Sequence, residues 1–247
     1  MIEHLWLVGI GTGSPDHITL EGQQALRDAA VVLVPRKGPD KSDLADIRRQ
    51  ILDRAAVSAK VLYFDMPVRD DDVPYQDRVS AWHDAIALAW LDAISGQSFA
   101  GPVALLVWGD PGLYDSTLRI ADRLSPAPQV RVVPGVTALQ ALTAAHCIPF
   151  NTVNGPVTVT TGRRLRDHGW PDGADTVVIM LDGTCAFSDL KGQGITIWWG
   201  AFLGMDNQVL RAGALDDVCD DIIATRANAR ADHGWIMDTY LMRQTAN

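Results

Sequence analysis

Five short apolar runs separated by helix-period segments fill the first 150 residues, and this alternation constrains the fold more than any other feature. LWLVGI (5–10), AVVLVP (30–35), KVLYFDM (60–66), PVALLVW (102–108) and QVRVVPG (129–135) are rich in β-branched residues and bounded by turn formers, as strands are. Between them, residues 19–29, Leu44/Ile47/Ile51, Val79/Trp82/Ile86/Trp90, residues 116–124 and residues 137–145 carry apolar side chains at helical spacing. Nearly continuous apolar strands alternating with helices imply a parallel sheet covered on both faces. Residues 1–150 are therefore expected to form a doubly wound α/β domain.

The pattern changes at IPFNTVNGP (148–156), where two prolines, a glycine and two asparagines suggest a linker over 151–156. Beyond it VTVTTG, DTVVIML, ITIWWGAFLG and QVLRAGAL crowd together, followed by a helix pattern over about 214–230 and a last apolar run, GWIMDTYLM. Closely spaced strands with few helices predict a second, α+β domain with a mixed sheet over 157–247.

Composition narrows the partners. The formal net charge is -9, and each half is acidic, which argues against nucleic acid or an anionic membrane as the main partner. No apolar run approaches spanning length and the N-terminus lacks a signal-peptide pattern, so the cytoplasm is the expected location. Cys147, Cys185 and Cys219 lie far apart without a nearby histidine pair, and the six histidines show no ligand spacing, so no metal is expected.

Three polar loops follow strands whose carboxyl ends share one edge, where open α/β sheets bind ligands. The first, GIGTGS, has Gly9, Gly11 and Gly13, but Ser14 stands where a dinucleotide fingerprint needs its third glycine. Val34 is followed by Pro35, Arg36 and Lys37 rather than by an acid, which removes NAD and leaves an NADP-dependent oxidoreductase as a rival reading. In the second, WGDPG, Gly109 permits close backbone approach and Asp110 accepts hydrogen bonds, either from a ligand or as the cap of a turn. In the third, PGVTAL, Thr137 suits a helix N-cap.

The segments VGIGTGSPDHIT, WGDPGLYDSTLRI and VVPGVTALQAL, in this order and spacing, resemble the tetrapyrrole (corrin/porphyrin) methyltransferases over essentially the whole chain. That resemblance implies two α/β domains, a homodimer, and S-adenosyl-L-methionine folded into the cleft between the domains. Carried over residue by residue, cofactor contacts fall on Thr12, on Trp108, Gly109, Asp110 and Leu113, on Thr137 and Ala138, and on Met180 and Leu181. Thr12, Ser14 and Trp108 depart from the residues usual in the family at those places. PVTVTTGRRL, VVIMLDG, IWWGAFLG and GWIMDTYLMR are most similar to the branch of cobalamin biosynthesis that methylates precorrin-5 at C-1 and releases its acetyl group as acetate. A different corrin ring carbon is the nearest alternative, and a non-catalytic nucleotide-binding protein is another.

Methyl transfer from a sulfonium to carbon needs alignment and exclusion of water rather than a metal or a covalent nucleophile. Deacetylation adds a water to be oriented, for which Asp110, Tyr114 and Asp115 are candidates, with packing by Tyr114 and helix capping by Asp115 as the alternatives. A polycarboxylate substrate needs a local positive site on an acidic protein. Arg163 and Arg164 are the leading candidates for it, with Arg36, Lys37 and Lys41 as a second cluster. Trp198 and Trp199 are either a floor for the macrocycle or buried core.

Overall fold

The computed structural model describes residues 1–36, 42–68 and 75–244. It divides into two compact units, Met1–Thr137 and Ala138–Asn247. The residues expected to be a linker, 151–156, lie inside the second unit, which begins with the helix α5 (Ala138–Ala145).

The first unit holds β1 (His4–Gly9), β2 (Val31–Arg36), β3 (Lys60–Asp65), β4 (Val103–Val107) and β5 (Gln129–Val133) in the order β3-β2-β4-β1-β5. Every pairing is parallel. Strand residues alternate in direction. Leu5, Leu7, Leu33, Val103 and Leu105 thus meet Ile86, Trp90 and Ile94 of α3 (Tyr75–Ile94) and Ile120 of α4 (Thr117–Ala121) in one core. α1 (Leu20–Asp28) packs on β1 and β5, and α2 (Ser42–Arg54) on β2. Helices thus cover both faces, and the α/β doubly wound expectation holds.

The second unit holds β6 (Val157–Thr161), β7 (Thr176–Met180), β8 (Ile195–Ala201), β9 (Val209–Ala214) and β10 (Asp238–Gln244) in the order β6-β7-β10-β8-β9. β6 and β7 are parallel and the remaining pairs antiparallel, so the sheet is mixed, as expected. One face buries Val177, Ile179, Ile197, Trp199, Tyr240 and Met242. Leu165 of α6 (Gly162–His168), Phe187 and Leu190 of a 3-10 turn, and Leu215, Cys219 and Ile222 of α7 (Leu215–His233) complete that core. α5 packs on β8 and β10; a side chain at Gly200 would run into Leu142.

Because β6, β7 and β8 run the same way and β10 against them, the ends of the first three and the start of β10 share one edge. Gly162, Met180 and Asp238 are brought to it.

Candidate functional site

The glycine loops after β1, β4 and β5 form one structure at the carboxyl edge of the parallel sheet. Gly11 and Gly109 pair across an isolated antiparallel bridge, Gly109 donating to the Gly11 carbonyl at 2.8 Å and Gly11 returning a bond at 3.3 Å. A Cβ at Gly9 would lie 2.6 Å from the Gly135 amide nitrogen and 2.9 Å from the Gly109 carbonyl oxygen. Gly9 and Gly135 are therefore required by backbone-on-backbone packing. Gly109 differs: its φ is +69° and a Cβ there would meet nothing within 4 Å among the described residues. Its amide and carbonyl are both bonded to Gly11 and the residue is buried, so its glycine serves a left-handed backbone whose Cβ position alone faces open space.

Asp110 fastens this arrangement. Oδ1 accepts from the Gly112 amide at 2.7 Å, closing its own loop, and Oδ2 accepts from the Gly135 amide at 2.9 Å. Leu113, half-buried, closes the turn by donating to the Asp110 carbonyl. Trp108 is half-buried directly before Gly109. Tyr114 is 40% exposed with φ +50°, a backbone conformation costly for an aromatic residue. Asp115 Oδ1 accepts from the Thr117 amide at 2.6 Å and so caps α4, while Ser116 makes no side-chain cap.

In the first loop the Thr12 side chain is turned inward. It is 4% exposed; its amide donates to Nδ1 of His17 at 3.4 Å and its hydroxyl lies 3.2 Å from the same nitrogen. Burial lowers the His17 pKa, against the pull of Asp16, and so favours the neutral ring. The histidine composition gave no hint of this pairing; only the five-residue reach of a loop returning through Pro15 accommodates it. Ser14 caps the 3-10 turn Pro15–His17, and Thr19 caps α1 by accepting from Gly22 at 2.9 Å. A dinucleotide site places its glycine loop directly on a helix N-terminus. Here residues 14–19 intervene. Thr137 and Ala138, both half-buried, connect the third loop to the start of α5.

In the second unit Met180 ends β7 half-buried, its sulfur accepting from the Thr239 hydroxyl at 3.4 Å. Leu181 follows, 67% exposed with φ +54°. Arg163 and Arg164 lie exposed in the first turn of α6, which Thr161 caps through the Arg164 amide. Trp199 is fully buried, with its indole N–H on Asp238 Oδ2 at 3.0 Å, so it belongs to the core and cannot floor a substrate. Trp198 is half-buried beneath Arg243, 5.3 Å from its ring. Arg36 stacks over Tyr63 at 4.9 Å at the end of β2, whereas Lys37 and Lys41 lie outside the described residues.

Sequence reasoning missed Asp182. It is 7% exposed and accepts from the Thr184 amide and hydroxyl, the Ala186 amide at 2.7 Å and the Tyr240 hydroxyl at 2.6 Å. Its carbonyl accepts from Arg226, which pairs with Asp238 at 2.9 Å. Burial pushes the Asp238 pKa up, opposed by Arg226 and Trp199. Among the described residues no group of three or more His, Cys, Asp or Glu side chains is placed to hold a metal ion.

A parallel sheet crowned by three backbone-packed glycine loops, followed in the chain by a mixed sheet, defines an α/β protein without a dinucleotide fingerprint. Residues 4–219 match the family model of the tetrapyrrole (corrin/porphyrin) methylases, and the chain belongs to that family. It is 43% identical, over 98% of its length and 95% of the relative, to the precorrin-6A synthase [deacetylating] of Sinorhizobium sp.. Among solved structures, a cobalamin synthesis related protein (CobF) of Corynebacterium diphtheriae matches all of both chains, with a TM-score of 0.85 and 36% identity. A uroporphyrin-III C-methyltransferase of Thermus thermophilus, complexed with S-adenosylhomocysteine, shares the fold over 97% of each chain, with a TM-score of 0.59 and 18% identity. The protein is thus a tetrapyrrole methyltransferase. None of the described helices is long and apolar enough to cross a membrane.

Proposed function

We propose that this protein transfers a methyl group from S-adenosyl-L-methionine to C-1 of precorrin-5 and catalyses hydrolytic loss of the acetyl group as acetate, giving precorrin-6A. The observation that carries this reading is a relationship spanning nearly the full length of both chains to a precorrin-6A synthase. A shared domain alone would not single out one ring carbon.

The residues at the glycine loops fit the cofactor. Gly109 leaves open space where a side chain would stand, and Asp110 fixes the second loop against the third. S-Adenosylmethionine, when bound, supplies the electrophilic methyl. Trp108, Gly109, Asp110, Leu113, Thr137 and Ala138 would hold it, with Thr12, whose amide and hydroxyl both face His17, lending at most its carbonyl. Met180 and Leu181 would be the second unit's contacts. Rigid loops of this kind hold donor and acceptor in line and exclude water.

For deacetylation, water adds to the acetyl carbonyl, the carbon–carbon bond to the ring breaks, and its electron pair stays with the macrocycle. Tyr114 is the favoured group to orient that water, because Asp115 spends an oxygen on capping α4. Asp110 holds two backbone amides and acts by positioning. Arg163 and Arg164 would grip substrate carboxylates. The reading includes a homodimer in the cytoplasm, on family resemblance.

The test is to incubate the purified protein with S-adenosylmethionine and precorrin-5. One acetate released per methyl transferred is expected; methylation without acetate would point to another ring carbon. Binding of NADPH with no binding of S-adenosylhomocysteine would overturn the cofactor assignment.

A further inference from the structure

Leu181 combines three properties seldom found together in one residue. It is large and apolar, 67% exposed, and left-handed at φ +54°. Water does not favour an exposed leucine, and the backbone strain persists only if neighbouring contacts enforce it; observed strain of this kind points to function. The enforcing residue is next in sequence. Asp182 is buried, with Oδ1 on Thr184 and Oδ2 shared between the Ala186 amide and the Tyr240 hydroxyl. Tyr240 belongs to β10, which pairs with β7, so the carboxylate ties the turn to the neighbouring strand. The Asp182 carbonyl takes a further bond from Arg226, itself held by Asp238. Gly162, at the start of α6, packs so tightly on the Asp182 carboxylate that any side chain there would overlap it.

We infer that Asp182 is a positioning residue, clamping the strained Met180–Leu181 turn in the form that meets the adenosyl ligand. This rests on the proposed cofactor role of Met180 and Leu181. The burial that drives the Tyr240 pKa well above its ordinary value keeps its hydroxyl protonated and donating to Asp182. The interaction is charge-assisted and dry, hence strong.

The experiment measures S-adenosylhomocysteine affinity by calorimetry and melting temperature for the unaltered protein, Leu181→Gly, Tyr240→Phe and Asp182→Asn. Glycine accepts the left-handed backbone without strain. Leu181→Gly should therefore melt no lower than the unaltered protein while binding about ten-fold more weakly, a split that a purely structural residue would not give. Tyr240→Phe and Asp182→Asn should also weaken binding, by about ten-fold, the loss expected for one charge-assisted bond. In turnover the Tyr240→Phe defect should appear in KM for S-adenosylmethionine, with kcat largely kept. If Tyr240→Phe and Asp182→Asn melt lower but bind with unchanged affinity while Leu181→Gly binds weakly, the clamp is overturned and the cofactor role stands. If none of the variants alters affinity, or the unaltered protein does not bind, the cofactor role of the turn falls and the clamp with it.

Discussion

Asp110 Oδ2 accepts a hydrogen bond from the Gly135 amide at 2.9 Å, joining two loops that are 25 residues apart in sequence. The other oxygen closes the WGDPG turn on Gly112. Asp110→Ala removes both and leaves two amide donors to find water. The expected loss is about ten- to a hundred-fold in S-adenosylhomocysteine affinity, about 1.4–2.7 kcal/mol, as only part of the two bonds' worth is felt in binding. Asp110→Asn, which keeps an acceptor oxygen, should lie between. Titration calorimetry reads both, and unchanged affinity in the alanine variant would reduce the loop to scaffolding.

The glycines separate by what surrounds them. Gly135→Ala forces a methyl group against the Gly9 and Gly109 backbones and should cost about 1–3 kcal/mol of stability, as overpacking does. Gly109→Ala meets open space and pays only for its φ of +69°, about 1–2 kcal/mol. Its main effect should be on binding. Urea denaturation paired with calorimetry would show the two variants failing on different axes.

His17 makes stability depend on pH. Its folded pKa lies below the ordinary 6.5, so the neutral ring is favoured in the fold. That contribution is complete above pH 6.5 and is lost as pH falls through the lowered value. Protonated Nδ1 can no longer accept from the Thr12 amide. His146, whose Nε2 contacts the Trp199 carbonyl, is lowered by burial in the same direction. Denaturation midpoints should fall with acidification, and His17→Asn should make that slope shallower; an identical slope in the variant would exclude His17 as its source.

Tyr114→Phe separates the two halves of the proposed reaction. Methyl transfer should persist while acetate release slows, about a hundred-fold if the phenol acts as a general acid–base group. Arg163→Ala should raise KM for the tetrapyrrole about ten-fold, from the loss of one charge-assisted contact, without moving S-adenosylhomocysteine affinity. Product analysis and steady-state kinetics decide both.

β1, β2, β4 and β7 were legible because burial on both faces leaves unbroken apolar runs, and the more exposed β3, β5, β6 and β9 because β-branched runs end at turn formers; the expected ranges fall close to all of these and to β8. Helix spacing located α1 to α5 and α7 equally well. The division of the chain was harder to read, since IPFNTVNGP has a linker's composition yet lies within the second unit. α6 was hidden inside a motif noticed for its charge, and at seven residues it is too short for a clear period. What sequence could not supply were contacts between distant positions. Asp110 with Gly135 and Asp182 with Tyr240 depend on strand order, and no local pattern encodes that order.

β10 occupies the middle of its sheet although it follows every other described strand in sequence. During synthesis the ribosome therefore delivers β6 with β7, then β8 with β9, as two separate ribbons whose inner edges have no partner. Only when residues 238–244 leave the exit tunnel can the ribbons join, and Tyr240 reaches Asp182 in the same event. A nascent chain stalled before that point thus exposes two adhesive edges and an unfinished binding turn, so chaperone demand should last until residues 238–244 have emerged.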